Sequence, residues 1–189
     1  FPTRRSSDLI LSPWFSDVVS MGGAGLALDV VEDGETFEEN SLKKAREVFD
    51  ALGGAYAVLA DDSGLSVDAL FGAPGVYSAR YAGGHDDAAN NEKLLFEMKD
   101  VPDGRRGAKF VSVISLIRPG REPLILRGEC EGVIARSLLG SNGFGYDPLF
   151  FVPGLGKTFS ELSDEEKNAI SHRGRALALL RLALEEEAE

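Results

Sequence analysis

At 189 residues, with 43% hydrophobic and 27% charged side chains, the chain has the size and composition of one globular domain with a substantial core. Its formal net charge of −11 argues against nucleic-acid binding, which depends on Lys and Arg neutralising phosphates, and leaves room only for a local basic pocket. A single cysteine, Cys130, rules out an internal disulfide; no apolar run approaches the roughly 18–20 residues of a membrane span, and no signal-peptide pattern is present, so the expected setting is cytoplasmic with no membrane partner.

The first stretch, "FPTRRSSDL", has neither an alternating nor a helical apolar pattern. Residues 1–11 are therefore read as a foreign or disordered leader, and 12–189 as a single domain. "WFSDVVS" reads as a short strand and "MGGAG" as a turn. "TFEENSLKKAREVFDALGG" is the clearest helix: Thr36 and Glu39 have capping-box spacing, Leu42, Ala45, Val48, Phe49 and Leu52 recur on one face, and Gly53 supplies the stop. "AYAVLA" reads as a buried strand that ends in "ADDSGL". "DDAANNEKLLFEMKDVP" is a second helix, stopped by Pro102. "AKFVSVISLIRPG" and "PLILRGECEGVIA" are β-rich, with a turn at Pro119-Gly120. A glycine-rich loop, "GSNGFGYDPLFFVPGLGKTFSEL", leads to a closing helical run. That run carries a second capping box at Ser163 and Glu166, an apolar stripe at Leu177, Leu180 and Leu184, and three glutamates, Glu185–Glu187, set to fray against the helix dipole. Interspersed strands and helices predict an α/β domain with a mixed sheet.

Four groups of residues could carry chemistry. Asp61-Asp62 is either a polar strand end, where Asp, Ser and Gly favour turns, or a Mg²⁺ site, with Glu32 as a further carboxylate. Asn40 and Lys44 share a helical face that is either solvated or aimed at a polyphosphate. Around Gly140, Gly143 and Gly145, the side chains of Phe144, Tyr146 and Asp147 form either a tight turn with core aromatics or a loop that stacks on a base. Lys167, His172 and Arg173 are either an ordinary helix start or donors to a carbonyl-bearing ligand. The two histidines, His85 and His172, are too few and too far apart for a histidine-rich metal site. "GLGKT" is not a P-loop, since Phe151 stands where the pattern needs its first glycine, and "GGAGLA" lacks the third glycine of a dinucleotide fingerprint.

"GETFEENSLKKA", "ADDSGLSVDALFGAPGVYSARYAGG" and "GSNGFGYDPLFFVPGLGKTFSELSDEEKNAISHRGRAL", in this order, resemble the inosine/xanthosine triphosphate pyrophosphatases, the XTP/dITP diphosphatases, from about Val18 to Leu182. The resemblance implies an elongated mixed sheet flanked by helices in two lobes, a substrate cleft between them, and a homodimer. It implies Mg²⁺-dependent hydrolysis of ITP, dITP and XTP to the monophosphate and pyrophosphate. Carried onto this sequence, Asp62 is the general base and a metal ligand, Glu32 a second ligand and Asp61 a supporting one. Ser63 and Lys44 contact the phosphates or position the nucleotide, Phe144 stacks on the purine, and Gly145, Tyr146 and Asp147 complete the base loop. Lys167, His172 and Arg173 finish the pocket. Family members begin with a strand and a Thr/Ser-x-Asn-x-x-Lys loop that holds the triphosphate; no such string precedes Glu32, so the expectation is a domain without that strand and loop, and with weakened activity. Septum-associated nucleotide pyrophosphatases, and a nucleotide-binding protein without turnover, are the competing readings.

Overall fold

Three long strands and two short ones form a five-stranded sheet in the order β1-β2-β3-β4-β5, with the β-rich runs at 107–117 and 124–134 supplying the second and third. The computed structural model describes residues 11–188, so the expectations for residues 1–10 lie outside it. β1 spans Val58–Val67, β2 Gly107–Ile117 and β3 Leu124–Ile134; the short β4 (Phe150–Val152) and β5 (Lys157–Thr158) form a hairpin inside the glycine-rich run. "GLGKT" thus lies in and just after a hairpin turn. Every pairing among the described residues is antiparallel, where a mixed sheet was expected, because each strand returns beside its predecessor in the reverse direction. "WFSDVVS" forms no strand, "MGGAG" does form turns, and β1 is an edge strand among the described residues.

Helices cover both faces. α1 (Phe37–Ala51) begins at Thr36, whose hydroxyl accepts the Glu39 N–H at 3.1 Å. The Glu39 carboxylate reaches the Glu35 N–H at 2.7 Å rather than that of Thr36, so the capping box is shifted by one residue. Ala45 of its apolar stripe is buried against Val58 and Ile117, and Gly53 (φ 67°) ends it as expected. α2 (Asp87–Glu97) is capped by Asp86 and ends before Pro102 is reached. Arg106, itself buried, donates to the Met98 and Val101 carbonyls beyond α2 and to the Ile134 and Ala135 carbonyls at the end of β3. The closing run breaks at Ser171 into α3 (Asp164–Ile170) and α4 (His172–Glu186), and Ser163 and Glu166 make the full reciprocal capping box. Leu177, Leu180 and Leu184 of α4 pack on Ile114 and Leu116. Leu11 joins that cluster, so the fold includes a residue assigned to the leader. The helix ends at Glu186, and the carboxylate of its C-cap Glu187 is bound by Arg118 and Arg121, from the two sides of the Pro119-Gly120 turn. No helix of the described residues is long and apolar enough to cross a membrane.

On the α4 face, a cross-strand row of small residues, Ser63, Ser112 and Gly128, separates two apolar clusters. Leu65, Phe110 and Cys130 lie on one side of it, and Ile114, Leu116 and Leu126 on the other. The row ends at Gly128 because the first turn of α4 rests there: a Cβ would collide with the His172 carbonyl oxygen and the Ala176 amide nitrogen. Gly128→Ala should therefore cost at least about 1–3 kcal/mol through overpacking against backbone. Urea unfolding curves of the two proteins check this, and equal midpoints would refute the contact.

Candidate active site

β1 does not stop at "ADDSGL" but runs through it, with Asp61 opposite Ile114 and Asp62 opposite Val113 of β2. Successive strand residues point to opposite faces, so the two carboxylates part company. Asp62 faces α1, where Lys44 Nζ lies 3.0 Å from its Oδ1 and 3.3 Å from Glu32 Oε1. The loop carrying Glu32 and the strand carrying Asp62 thus meet at one ammonium. Burial raises the Asp62 carboxyl above its ordinary value; Lys44 opposes that shift and Glu32 adds to it. Asp62 Oδ2 and Asn40 Nδ2 are both buried without a hydrogen-bond partner. The Glu32 segment is further fixed by Arg80, which donates to the Glu32 carbonyl at 3.0 Å, and by Asn40 Oδ1, which accepts the Gly34 N–H at 2.8 Å.

Asp61 faces α4, where Arg173 forks onto its Oδ2 through Nε (3.0 Å) and Nη2 (2.6 Å), and the same Nη2 reaches Ser63 Oγ at 3.3 Å. Asp61 therefore stands apart from the pair at Lys44. His172 begins α4 and stacks on Phe110, with ring centroids 4.9 Å apart. Burial, then the charges of Arg173 and Lys167, push its pKa down to about 3, so it is neutral at pH 7. Its Nδ1 is buried without a partner.

The glycine-rich segment forms a third wall. Asp147 is buried, and its Oδ2 accepts the Phe144 N–H at 2.9 Å and takes Lys167 Nζ at 2.5 Å. Gly143 (φ 82°) must lack a side chain, since a Cβ would collide with that carboxylate. Tyr146 is buried and donates to the Ser78 carbonyl, whereas the Phe144 ring is 56% exposed, with Lys167 Nζ 4.8 Å from its centroid. One aromatic of the loop is thus core and the other is presented outward.

Two carboxylates around a cation, one with an orphaned buried oxygen, suit Mg²⁺, which is usually held by one or two carboxylates with substrate phosphates completing its shell. Among the described residues no group of three or more His, Cys, Asp and Glu side chains is placed to hold a metal. Sequence reasoning gave no role to Arg80, Asp87 or Asn91. Asp87 accepts the Gly145 N–H and Asn91 donates to the Gly145 carbonyl. The i, i+4 spacing of that polar pair was the one signal available.

A family model described as the Ham1 family matches residues 9–183, a span that begins ahead of the Val18 reached from motifs alone. The chain is 52% identical over 177 residues to a dITP/XTP pyrophosphatase of Clostridium perfringens, covering 91% of this chain and 87% of that one. It is 59% identical over 155 residues to a dITP/XTP pyrophosphatase of Rhodopirellula baltica, covering 81% and 74%. The Ham1 protein of Staphylococcus aureus superposes with a TM-score of 0.90 at 44% identity, over 97% of this chain and 93% of that one. A HAM1 protein from Coxiella burnetii gives 0.85 at 41%, over 97% and 95%.

The neutral, half-buried His172, with its Nδ1 buried, makes stability pH-dependent. Its folded value lies below the 6.5 of the free imidazole, so the unfolded chain takes up the proton first. The stability is fully present above about pH 6.5 and is lost as pH falls toward 3, at up to about 1.4 kcal/mol per pH unit. Urea unfolding at pH 7 and pH 5 should show a larger loss for the native chain than for His172→Gln; equal losses would contradict the assignment.

Proposed function

We propose that this chain, which belongs to the Ham1 family, hydrolyses the non-standard purine nucleoside triphosphates ITP, dITP and XTP to the monophosphate and pyrophosphate, with Mg²⁺. The observation that carries the reading is Asp62: a nearly buried carboxylate with a raised pKa and a free oxygen, beside Lys44 and Glu32. A raised pKa suits a general base, because it increases the driving force for accepting a proton.

In this reading Asp62 takes the proton of a water whose oxygen attacks the α-phosphorus. The bond from that phosphorus to the α–β bridging oxygen breaks, and pyrophosphate leaves. Asp62 and Glu32 would hold Mg²⁺, which when bound neutralises charge on the phosphate oxygens. Lys44, on the α1 face, would contact the phosphates, Ser63, on the α4 face, would position the nucleotide, and Asp61 serves by holding Arg173. Phe144 stacks on the purine, on a loop set by Gly145, Tyr146 and Asp147 and underpinned by Lys167. His172 and Arg173 supply donors to a 6-oxo base, whereas a 6-amino base would meet them with its own donor. Buried polar groups left unpaired cost on the order of 1–3 kcal/mol each, which disfavours ATP. The resemblance adds a homodimer to this reading, and the sequence pattern a cytoplasmic setting.

Pyrophosphate release in Mg²⁺ from ITP, XTP, GTP, ATP, dTTP and UTP tests it. ITP and XTP should exceed ATP by about 10–100-fold in kcat/KM. Asp62→Asn should lower kcat by about 10²–10⁴. Equal rates in that variant would remove Asp62 as base. Turnover of dTTP or UTP without ITP would move the chain to the septum-associated type, and tight ITP binding without pyrophosphate release would make it a binding protein.

A further inference from the structure

Gly145 follows the exposed Phe144 directly, and both of its peptide groups are tied to one face of α2. Asp87 Oδ2 accepts the Gly145 N–H at 2.7 Å, and Asn91 Nδ2 donates to the Gly145 carbonyl at 2.8 Å. The pair is spaced i, i+4, so one helix face supplies both contacts. Asn91 is 5% exposed, and its Nδ2 also donates to the Asp87 carbonyl at 2.8 Å, which fixes the amide orientation between two acceptors. Its Oδ1, turned the other way, is buried and without a partner. On the other side of the aromatic ring, the Phe144 N–H is held by Asp147. Backbone on both sides of an outward-facing aromatic ring is therefore pinned, in a segment whose glycines would otherwise leave it free.

We propose that Asp87 and Asn91 form a clamp on Gly145 that positions Phe144 for the nucleotide base, which makes them specificity-positioning residues of this site; the proposal rests on the reading of Phe144 as the stacking surface. A preset ring spares the binding step the ordering of a loop, so the clamp acts on affinity for the base. It lies on a different wall from Asp62 and Lys44, so the chemical step is left alone.

Steady-state kinetics on ITP with Mg²⁺, with inorganic triphosphate as a base-free competitive inhibitor, separates these roles. Asp87→Ala and Asn91→Ala should each raise KM for ITP about tenfold, with kcat within about twofold and the inhibition constant of inorganic triphosphate unchanged. Asp87→Asn keeps an oxygen for the Gly145 N–H and should restore KM. Should Phe144→Ala raise KM while neither alanine variant on α2 does, the clamp is overturned and the stacking reading stands. An unchanged KM in Phe144→Ala overturns both. A parallel loss of kcat, or of affinity for inorganic triphosphate, in both Asp87→Ala and Asn91→Ala would mark a general structural defect and overturn the clamp.

Discussion

Two neighbouring carboxylates on one strand cannot share a face, and in β1 each meets a cation of its own, the buried Asp62 of necessity and the more exposed Asp61 at the rim. β1 meets that constraint with a helix on either side: Lys44 of α1 for Asp62, and the Arg173 fork of α4 for Asp61. The placement of both helices follows from these pairs as much as from their apolar stripes. Lys44 draws in the Glu32 loop, which Arg80 and Asn40 then secure. Arg173 sets the start of α4, and Gly128 allows the helix to come down onto β3.

The same pairs divide the labour of the site. On the α1 face, two carboxylates and one ammonium leave an unpartnered oxygen and a raised affinity for a proton, which is an arrangement for metal and proton chemistry. On the α4 face, a guanidinium whose Nε and Nη2 fork onto Asp61 stands beside a neutral, half-buried imidazole, a setting that suits recognition by hydrogen bonds over charge. The sheet between them is the partition. In the proposed function, a nucleoside triphosphate would meet the first chemistry with its phosphates and the second with its base.

Much of this was legible in the residues. The Thr36 cap, the Gly53 stop, the Ser163–Glu166 box and the Leu177–Leu180–Leu184 stripe are local signals, and local signals survive folding. The course of β1 was not legible, because Asp, Ser and Gly favour turns on their own, and only cross-strand pairing with β2 keeps them extended. The separation of Asp61 from Asp62 followed from that misjudged end: a turn would have let them converge. The burial of Leu11 was hidden by its polar neighbours, and the hold on Glu187 by arginines some seventy residues away in sequence. The roles of Asp87 and Asn91 depend on where a distant loop lands, which no helical pattern encodes.

Arg106 joins the end of α2 to the exit of β3 by donating to four backbone carbonyls. One of those, Ala135, opens the segment that leads to Phe144, and α2 is the helix that carries Asp87 and Asn91. The planar guanidinium is therefore a rigid gauge between the two parts that meet again at Gly145. A lysine, with one tetrahedral ammonium, has no fork with which to span those carbonyls, so charge alone would not keep the spacing. The spacing of the two parts that meet at Gly145 is thus set at a buried position that makes no hydrogen bond to either Gly145 or Phe144.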